Sequence, residues 1–207
     1  MELLQALLLS TSAATSAVCI GRARRHYGDA DQPALFCALL GFALAAGSGV
    51  CLLASQLDFD AGEAQRWLER ATLLLGLPLI ALAALTLGRS WAWSRPTWGR
   101  VLLGLCAFFE LARQLGWSAP YALGLVLGSA LLVTYAGFLQ WPQRRPTMLA
   151  ALAGALLLAC TPLEFGGAGS SPLSDYRPLL LALASPLLVW LLLDLPGNAR
   201  IDRDASA

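Results

Sequence analysis

The chain has 207 residues, of which 57% are hydrophobic and 13% are charged, and its formal net charge is +1. Because soluble domains carry about 25% charged residues, and the mean hydropathy here is +0.64, the composition excludes an ordinary soluble domain. A net charge so close to zero gives no sign of a nucleic-acid-binding protein, so we expect membrane lipids as partners and no nucleic acid.

Seven apolar stretches follow one another along the chain, each close to the roughly 20 residues that a helical membrane span requires. They cover residues 2–20, 33–54, 65–88, 98–116, 120–140, 147–162 and 178–195. We therefore predict an all-α membrane protein, a bundle of seven transmembrane helices that forms a single domain over residues 1–196. A short, disordered cytoplasmic tail is expected over residues 197–207. Binding, catalysis or signalling would then take place inside the bundle or at its faces.

Arginines occur in alternate connections between these stretches, and acids occupy most of the others. The arginine-rich connections contain Arg22, Arg24, Arg25, Arg89, Arg95, Arg100, Arg144, Arg145, Arg200 and Arg203. Since basic residues next to spans stay in the cytoplasm, we predict an outward N-terminus and a cytoplasmic C-terminus in a bacterial inner membrane. Glu2 before the first stretch and arginines after it are the reverse of a cleaved signal peptide, so we expect that stretch to remain as an anchor.

The first two stretches contain small and hydroxylated residues at helical spacing. Ser12, Thr15 and Ser16 fall on one helix face, which we predict to pack inward against a neighbouring helix. Gly41 and Gly49 lie on a second face, where small residues recur every four positions. Such a face allows two backbones to approach closely.

Glycine and proline also mark three later stretches. Pro78 lies inside the third stretch and Pro186 inside the seventh, and a proline within a span is expected to kink its helix. Gly124 and Gly128 are spaced for a close helix contact. That contact could join two copies of the chain as a homodimer or pack the helix internally.

Six of the seven tryptophans fall at the ends of the predicted spans. Trp67 and Trp117 mark the outer boundary, and the inner boundary is marked by Trp91, Trp93, Trp98 and Trp141. This distribution is typical of the aromatic belts at a membrane interface. Trp190 lies deeper in the last stretch, and we interpret it as a packing residue.

The strongest candidate for chemistry is the group Glu110, Arg113 and Gln114 in the fourth stretch. Residues at these spacings share one helix face. Glu110 lies about 10 Å from Trp117 along a helix axis. An ionised group at that depth costs roughly 2.5–3.5 kcal/mol, so we expect Glu110 to face the bundle interior.

Further charged residues are predicted at the same outer level as Glu110. They are Glu69, Arg70, Glu164 and Arg177. We predict a polar cluster in which Arg70 or Arg113 neutralises Glu110. Two interpretations stay open: an internal ion pair that locks the bundle, or a water-filled pocket for a ligand, an ion or a proton.

Several kinds of chemistry lack the residues they need. All 14 basic residues are arginine, which excludes a retinal Schiff base because that bond needs a lysine amine. His26 is the single histidine and lies among arginines, so neither bis-histidine haem ligation nor a multi-histidine metal site can form. The cysteines form no C-x-x-C pair, and no P-loop or hydrolase motif is present. We expect no metal, no cofactor and no catalytic residues.

Three functions compatible with these features remain. The first is a non-enzymatic sensory or accessory bundle that binds a partner protein or a small apolar ligand. The second is a small-solute or ion transporter or channel that uses the outer charged cluster. The third is an enzyme that modifies lipids at the outer leaflet, with Glu110 as an acid or base.

Overall fold

The computed structural model describes the backbone of residues 2–57, 59, 61–141, 143–160 and 176–205, and side chains within residues 3–195 of those ranges. These residues form helices and no strand. The helices are α1 (Glu2–Ala23), α2 (Gln32–Gln56), α3 (Gly62–Ala71), α4 (Leu77–Gly88), α5 (Arg95–Gln114), α6 (Ser118–Phe138), α7 (Arg144–Ala159) and α8 (Arg177–Ala205). A 3-10 turn, Arg24–His26, follows α1, and a π-helical segment, Thr72–Gly76, joins α3 to α4.

The described residues form seven helical segments when α3, the π segment and α4 are counted as one, so the predicted all-helical bundle is confirmed. Five are long and apolar enough to cross a membrane: Leu3–His26, Gln32–Gln56, Gly62–Gly88, Ser118–Phe138 and Arg177–Leu195. The segments α5 and α7 are not among them. The sequence of α5 includes Arg95, Arg100, Glu110 and Arg113, and α7 has only 16 residues.

The connections predicted to be cytoplasmic meet at one end of the bundle, which we call the Arg24 end. There the Tyr27 hydroxyl donates to the Leu193 carbonyl over 2.9 Å, and the Gln140 amide donates to the Gly88 carbonyl over 3.3 Å. The start of α1, the end of α2 and the start of α8 meet at the opposite end, which we call the Arg177 end. Which end faces the cytoplasm stays a prediction.

The hydroxylated face of α1 packs on α8 and α2, as its spacing predicts, except at Thr15. Ser12 donates to the Ala182 carbonyl of α8 over 2.6 Å, and Ser16 is buried. A Cβ added at Gly49 would lie 2.8 Å from the Ser10 backbone nitrogen, so this glycine is what lets α1 and α2 touch. Thr15 is exposed instead, because its hydroxyl is satisfied by carbonyls of its own helix.

The π segment arises directly before Pro78. The Leu77 N–H donates to the Thr72 carbonyl, five residues earlier, and Pro78 has no N–H with which to restore the α-helical pattern. The segment crosses α2 where both backbones carry glycine: a Cβ at Gly41 would lie 2.7 Å from the Gly76 carbonyl oxygen. The predicted kink at Pro78 is therefore a π-helical insertion held against α2.

The interpretation of Trp190 as a packing residue is wrong, because 68% of it is exposed. The packing tryptophan is Trp98, which is buried in the core with its ring 5.4 Å from that of Trp93. A residue at the start of a helix can still be buried when the neighbouring helices extend past it, and α5 begins beside α2.

Two further sequence-based expectations concern α6 and α8. A Cβ at Gly124 or Gly128 would meet no described atom within 4 Å, so this face of α6 is open and not internally packed. The backbone of α8 continues as a helix to Ala205, into the segment expected to be a tail. The domain boundary at residue 196 stays a prediction.

The Arg177 cavity, a candidate functional site

A cavity of about 570 Å³ opens at the Arg177 end of the bundle. We call it the Arg177 cavity. It lies between the start of α1, the last turns of α2, α3 with the π segment, and the start of α8. Its polar lining residues are Gln5, Ser48, Ser55, Gln56, Gln65, Glu69, Thr72, Tyr176 and Arg177. Ligand pockets in proteins commonly measure about 300–1,000 Å³, so this cavity has room for a small molecule.

The cavity wall contains an ion pair between two helices that are distant in the sequence. The Arg177 Nη1 donates to Glu69 Oε1 over 3.4 Å, and the side chains are 20% and 45% exposed respectively. A contact of this length with a half-exposed carboxylate is weak. The pair uses the Arg177 Nη1 and leaves the Nε without a partner among the described residues.

One N–H donor of the Arg177 guanidinium has no described partner. Its Nε is buried and has no hydrogen-bond partner among the residues that the structure describes. An arginine offers five N–H donors in a planar fork that matches carboxylate and phosphate groups. A buried donor without a partner costs free energy, and an anionic group bound in the cavity is one means of satisfying it.

The floor of the cavity is formed by Thr72, Leu181 and the apolar core beneath them. Thr72 begins the π segment and its hydroxyl donates to the Leu68 carbonyl over 2.8 Å. Below Thr72 and Leu181 the described residues leave a void of only about 10 Å³ beside Phe42 and Ile80. Roughly one water molecule fits in such a space. The cavity is therefore closed toward the apolar core in this conformation.

The expectation that Glu110 faces the bundle interior is wrong. Arg113 donates to both carboxylate oxygens, with Nε–Oε2 and Nη2–Oε1 distances of 2.8 and 2.6 Å, and Gln114 donates over 3.2 Å. The Glu110 and Arg113 side chains are 46% and 61% exposed. The predicted pairing with Arg113 is present, but because it is satisfied within one helix, it needs no interior partner.

The other predicted members of the cluster are distributed differently. Arg70 is exposed and lines a shallow surface depression with Glu63, Arg66 and Trp67, so among the described contacts it neutralises neither Glu110 nor Glu69. Glu164 lies outside the described residues. Of the predicted residues that the structure describes, only Glu69 and Arg177 come together in the cavity.

Sequence reasoning missed the neutral polar residues of the cavity. Ser48, Ser55 and Gln56 recur at helical spacing on α2, and Gln65, Glu69 and Thr72 do so on α3 and the π segment. Each series places polar side chains on one face near a helix end. Looking for such faces on several helices at the same predicted depth, instead of for charges alone, would have indicated the site.

The side chains of the cavity are suited to binding a ligand through hydrogen bonds and charge. One guanidinium, one carboxylate and several hydroxyl and amide groups can orient a small polar molecule. In the described part of the chain, no three histidine, cysteine, aspartate or glutamate side chains come together as a metal site.

Comparisons with known proteins add nothing to the geometry: no family model, no curated protein and no solved structure matches the chain.

Proposed function

We propose that this protein is a multi-pass bacterial inner-membrane protein that binds a small polar ligand carrying a carboxylate or phosphate group in the Arg177 cavity. In this role it acts as a sensory or accessory bundle and not as an enzyme. The observation that carries the proposal is the buried Arg177 Nε without a partner among the described residues, on a residue that lines a cavity of about 570 Å³.

The polar lining supports a hydrophilic ligand more than the small apolar ligand that the composition alone suggested. Serine, threonine and glutamine side chains surround the ion pair, and they can both donate and accept hydrogen bonds. Binding sites for apolar molecules have mainly hydrophobic walls with few polar groups. A ligand with an anionic group would take up the spare donors of Arg177, with its neutral polar groups placed against α2 and α3.

Transport is the second candidate, and one observation favours it. The cavity ends at the π segment, and π-helical insertions are frequent at functional sites and movable points of helices. A rearrangement at Thr72 would be needed to open a path through Phe42 and Ile80, which are buried below it. Binding without passage is therefore the simpler proposal for this conformation.

The lipid-modifying enzyme has less support. Its proposed acid or base, Glu110, is held by Arg113 on the exposed side of α5. Two charge-assisted hydrogen bonds stabilise the ionised carboxylate, which makes it a poor proton donor.

Ligand binding is tested by thermal unfolding of the purified chain in detergent with inorganic phosphate, short carboxylates and amino acids. We expect at least one of these solutes to raise the unfolding temperature of the wild type. We expect Arg177→Gln to remove that increase, because a neutral amide cannot replace the charged fork.

The matched control is Arg70→Gln, which also removes one arginine. Arg70 follows Glu69 on α3, but it lines the shallow surface depression and not the Arg177 cavity. We expect this variant to keep the ligand-induced increase. A panel in which no solute stabilises the wild type, or in which both variants respond as the wild type does, would contradict the proposal.

A further inference from the structure

A second opening lies at the Arg24 end, separate from the Arg177 cavity. It is a groove of about 420 Å³ between the first turns of α2 and the first turns of α5, with Arg24 beside it. We call it the α2–α5 groove. Most of its walls are apolar, and Phe36, Leu40, Trp98 and Leu102 form them.

The groove exists because α5 packs loosely on the bundle. Of the residues of α5, all of which are described, only Trp98 and Ala112 are buried. A Cβ added at Gly99 would meet nothing within 4 Å. From Pro33 to Leu40 the α2 wall extends about 10 Å along the helix axis. An unfilled apolar groove of this length is suited to part of an acyl chain.

Two arginines lie at the groove. The Arg24 guanidinium carbon is 5.3 Å from the centroid of the exposed Phe36 ring, and Arg95 begins α5 on the other side. Within the described residues the structure pairs neither arginine with a carboxylate. Asp29, one of the two acids of the connecting loop, accepts from Gln32 over 3.2 Å.

We propose that the α2–α5 groove binds an anionic phospholipid, with an acyl chain against Phe36 and Trp98 and the headgroup phosphate between Arg24 and Arg95. The charge of the headgroup complements two arginines without a described acidic partner, and the chain fills the apolar walls. Basic pockets between helices on the cytoplasmic side are sites of this chemistry, and the arginine distribution predicts that the Arg24 end is cytoplasmic.

The test is native mass spectrometry of the delipidated full chain, titrated with phosphatidylglycerol or with phosphatidylcholine of the same acyl chains. We expect the first phosphatidylglycerol to bind on the order of tenfold more tightly than phosphatidylcholine. Arg24→Gln combined with Arg95→Gln should abolish this preference. Arg24→Lys combined with Arg95→Lys should keep most of the preference for phosphatidylglycerol. This variant tests whether the groove tolerates substitution at both positions when the positive charges are kept.

The control for general surface charge is Arg144→Gln combined with Arg145→Gln, which removes two exposed arginines from the start of α7. This variant should keep the preference. Gly99→Leu adds a side chain at the groove whose Cβ would meet no described atom within 4 Å, and it should weaken binding of both lipids because it occupies the space of the acyl chain.

Three results would overturn the proposal. One is a wild type without a headgroup preference, and another is an equal loss in the two arginine-to-glutamine pairs. The third is displacement of the bound lipid by millimolar inorganic phosphate, since that would assign the site to a free anion and not to a lipid.

Discussion

Glu69 and Arg177 lie 108 residues apart in the sequence and form an ion pair of 3.4 Å that links α3 to the first turn of α8. The pair connects the helix that leads into the π segment to the last helix of the bundle. Both residues also line the Arg177 cavity. Stability and ligand binding can be measured independently, so the structural contribution of the pair and its proposed part in binding can be distinguished.

The stabilising contribution of this pair should be small. Glu69 is 45% exposed and the contact is long, and pairs of this kind contribute about 0.2–1 kcal/mol. A double-mutant cycle with Glu69→Gln, Arg177→Gln and the combined variant, measured by chemical unfolding, should give a coupling energy in that range. A coupling several times larger would mean that the pair holds the bundle together and that a ligand does not need to complete the site.

The crossing of α2 with the π segment should tolerate no added methyl group. A Cβ at Gly41 would lie 2.7 Å from the backbone oxygen of Gly76, and because backbone cannot move as a side chain does, Gly41→Ala should destabilise the chain by about 1–3 kcal/mol. Thermal or chemical unfolding measures this change. Gly124→Ala is the matched control, since its Cβ would meet no described atom within 4 Å, and it should unfold as the wild type does.

Pro78→Ala should separate stability from binding. The new N–H at position 78 can complete the α-helical pattern that Pro78 interrupts, so we expect a shorter or absent π segment and unchanged or greater stability. Because a π insertion offsets the helix before it, its loss would rotate Glu69 and Thr72 relative to α8. The ligand-induced increase in unfolding temperature should therefore fall while the unfolding temperature itself does not.

The Glu110–Arg113 pair should be dispensable for folding. Both side chains are exposed and satisfy each other within α5, so Glu110→Gln and Arg113→Ala should each unfold close to the wild-type temperature. Expression level, elution volume and thermal unfolding provide the measurement. A variant that fails to fold would show that α5 packs its Glu110 face against something that the described residues do not include.

The glycine face of α6 is open within the described residues, and the homodimer that the spacing of Gly124 and Gly128 suggested stays a prediction. We expect the wild type to form dimers in a mild detergent and Gly124→Leu combined with Gly128→Leu to be monomeric, because leucine prevents close backbone approach. Cross-linking with mass determination distinguishes the states. If both proteins are monomers, this face packs against lipid.

Periodicity and charge distribution were enough to predict the helices, and the reason is visible in α2. Its apolar length and its glycines at positions 41 and 49 determine both the helix and its close contacts with α1 and the π segment. These features are local in sequence. Apolar surfaces that face lipid and those that face protein are alike in composition, and the exposed Trp190 and buried Trp98 show that hydropathy alone does not reveal burial.

The candidate site was predicted only in part because side-chain pairing decides which charges turn inward. Glu110 and Arg177 are both charged residues near the predicted outer boundary. Glu110 forms an ion pair with Arg113, three residues later on the same helix. Arg177 instead pairs with Glu69, which lies on another helix. The neutral side chains of Ser48 and Thr72 complete the cavity through contacts between helices, which no single stretch of sequence contains.

The proposed binding site requires the Arg177 cavity to be accessible to water, and the arginine distribution predicts that the cavity opens to the outside of the cell. The most direct measurement is labelling of single cysteines, in a variant without the five native cysteines, by a membrane-impermeant maleimide applied to intact spheroplasts. Ser55→Cys lies in the cavity wall, and Ala84→Cys lies in the core, where the native residue is 0% exposed. We expect labelling of the cysteine at position 55 in intact spheroplasts and none at position 84. Labelling of position 55 only after the membrane is opened, or not at all, would contradict it.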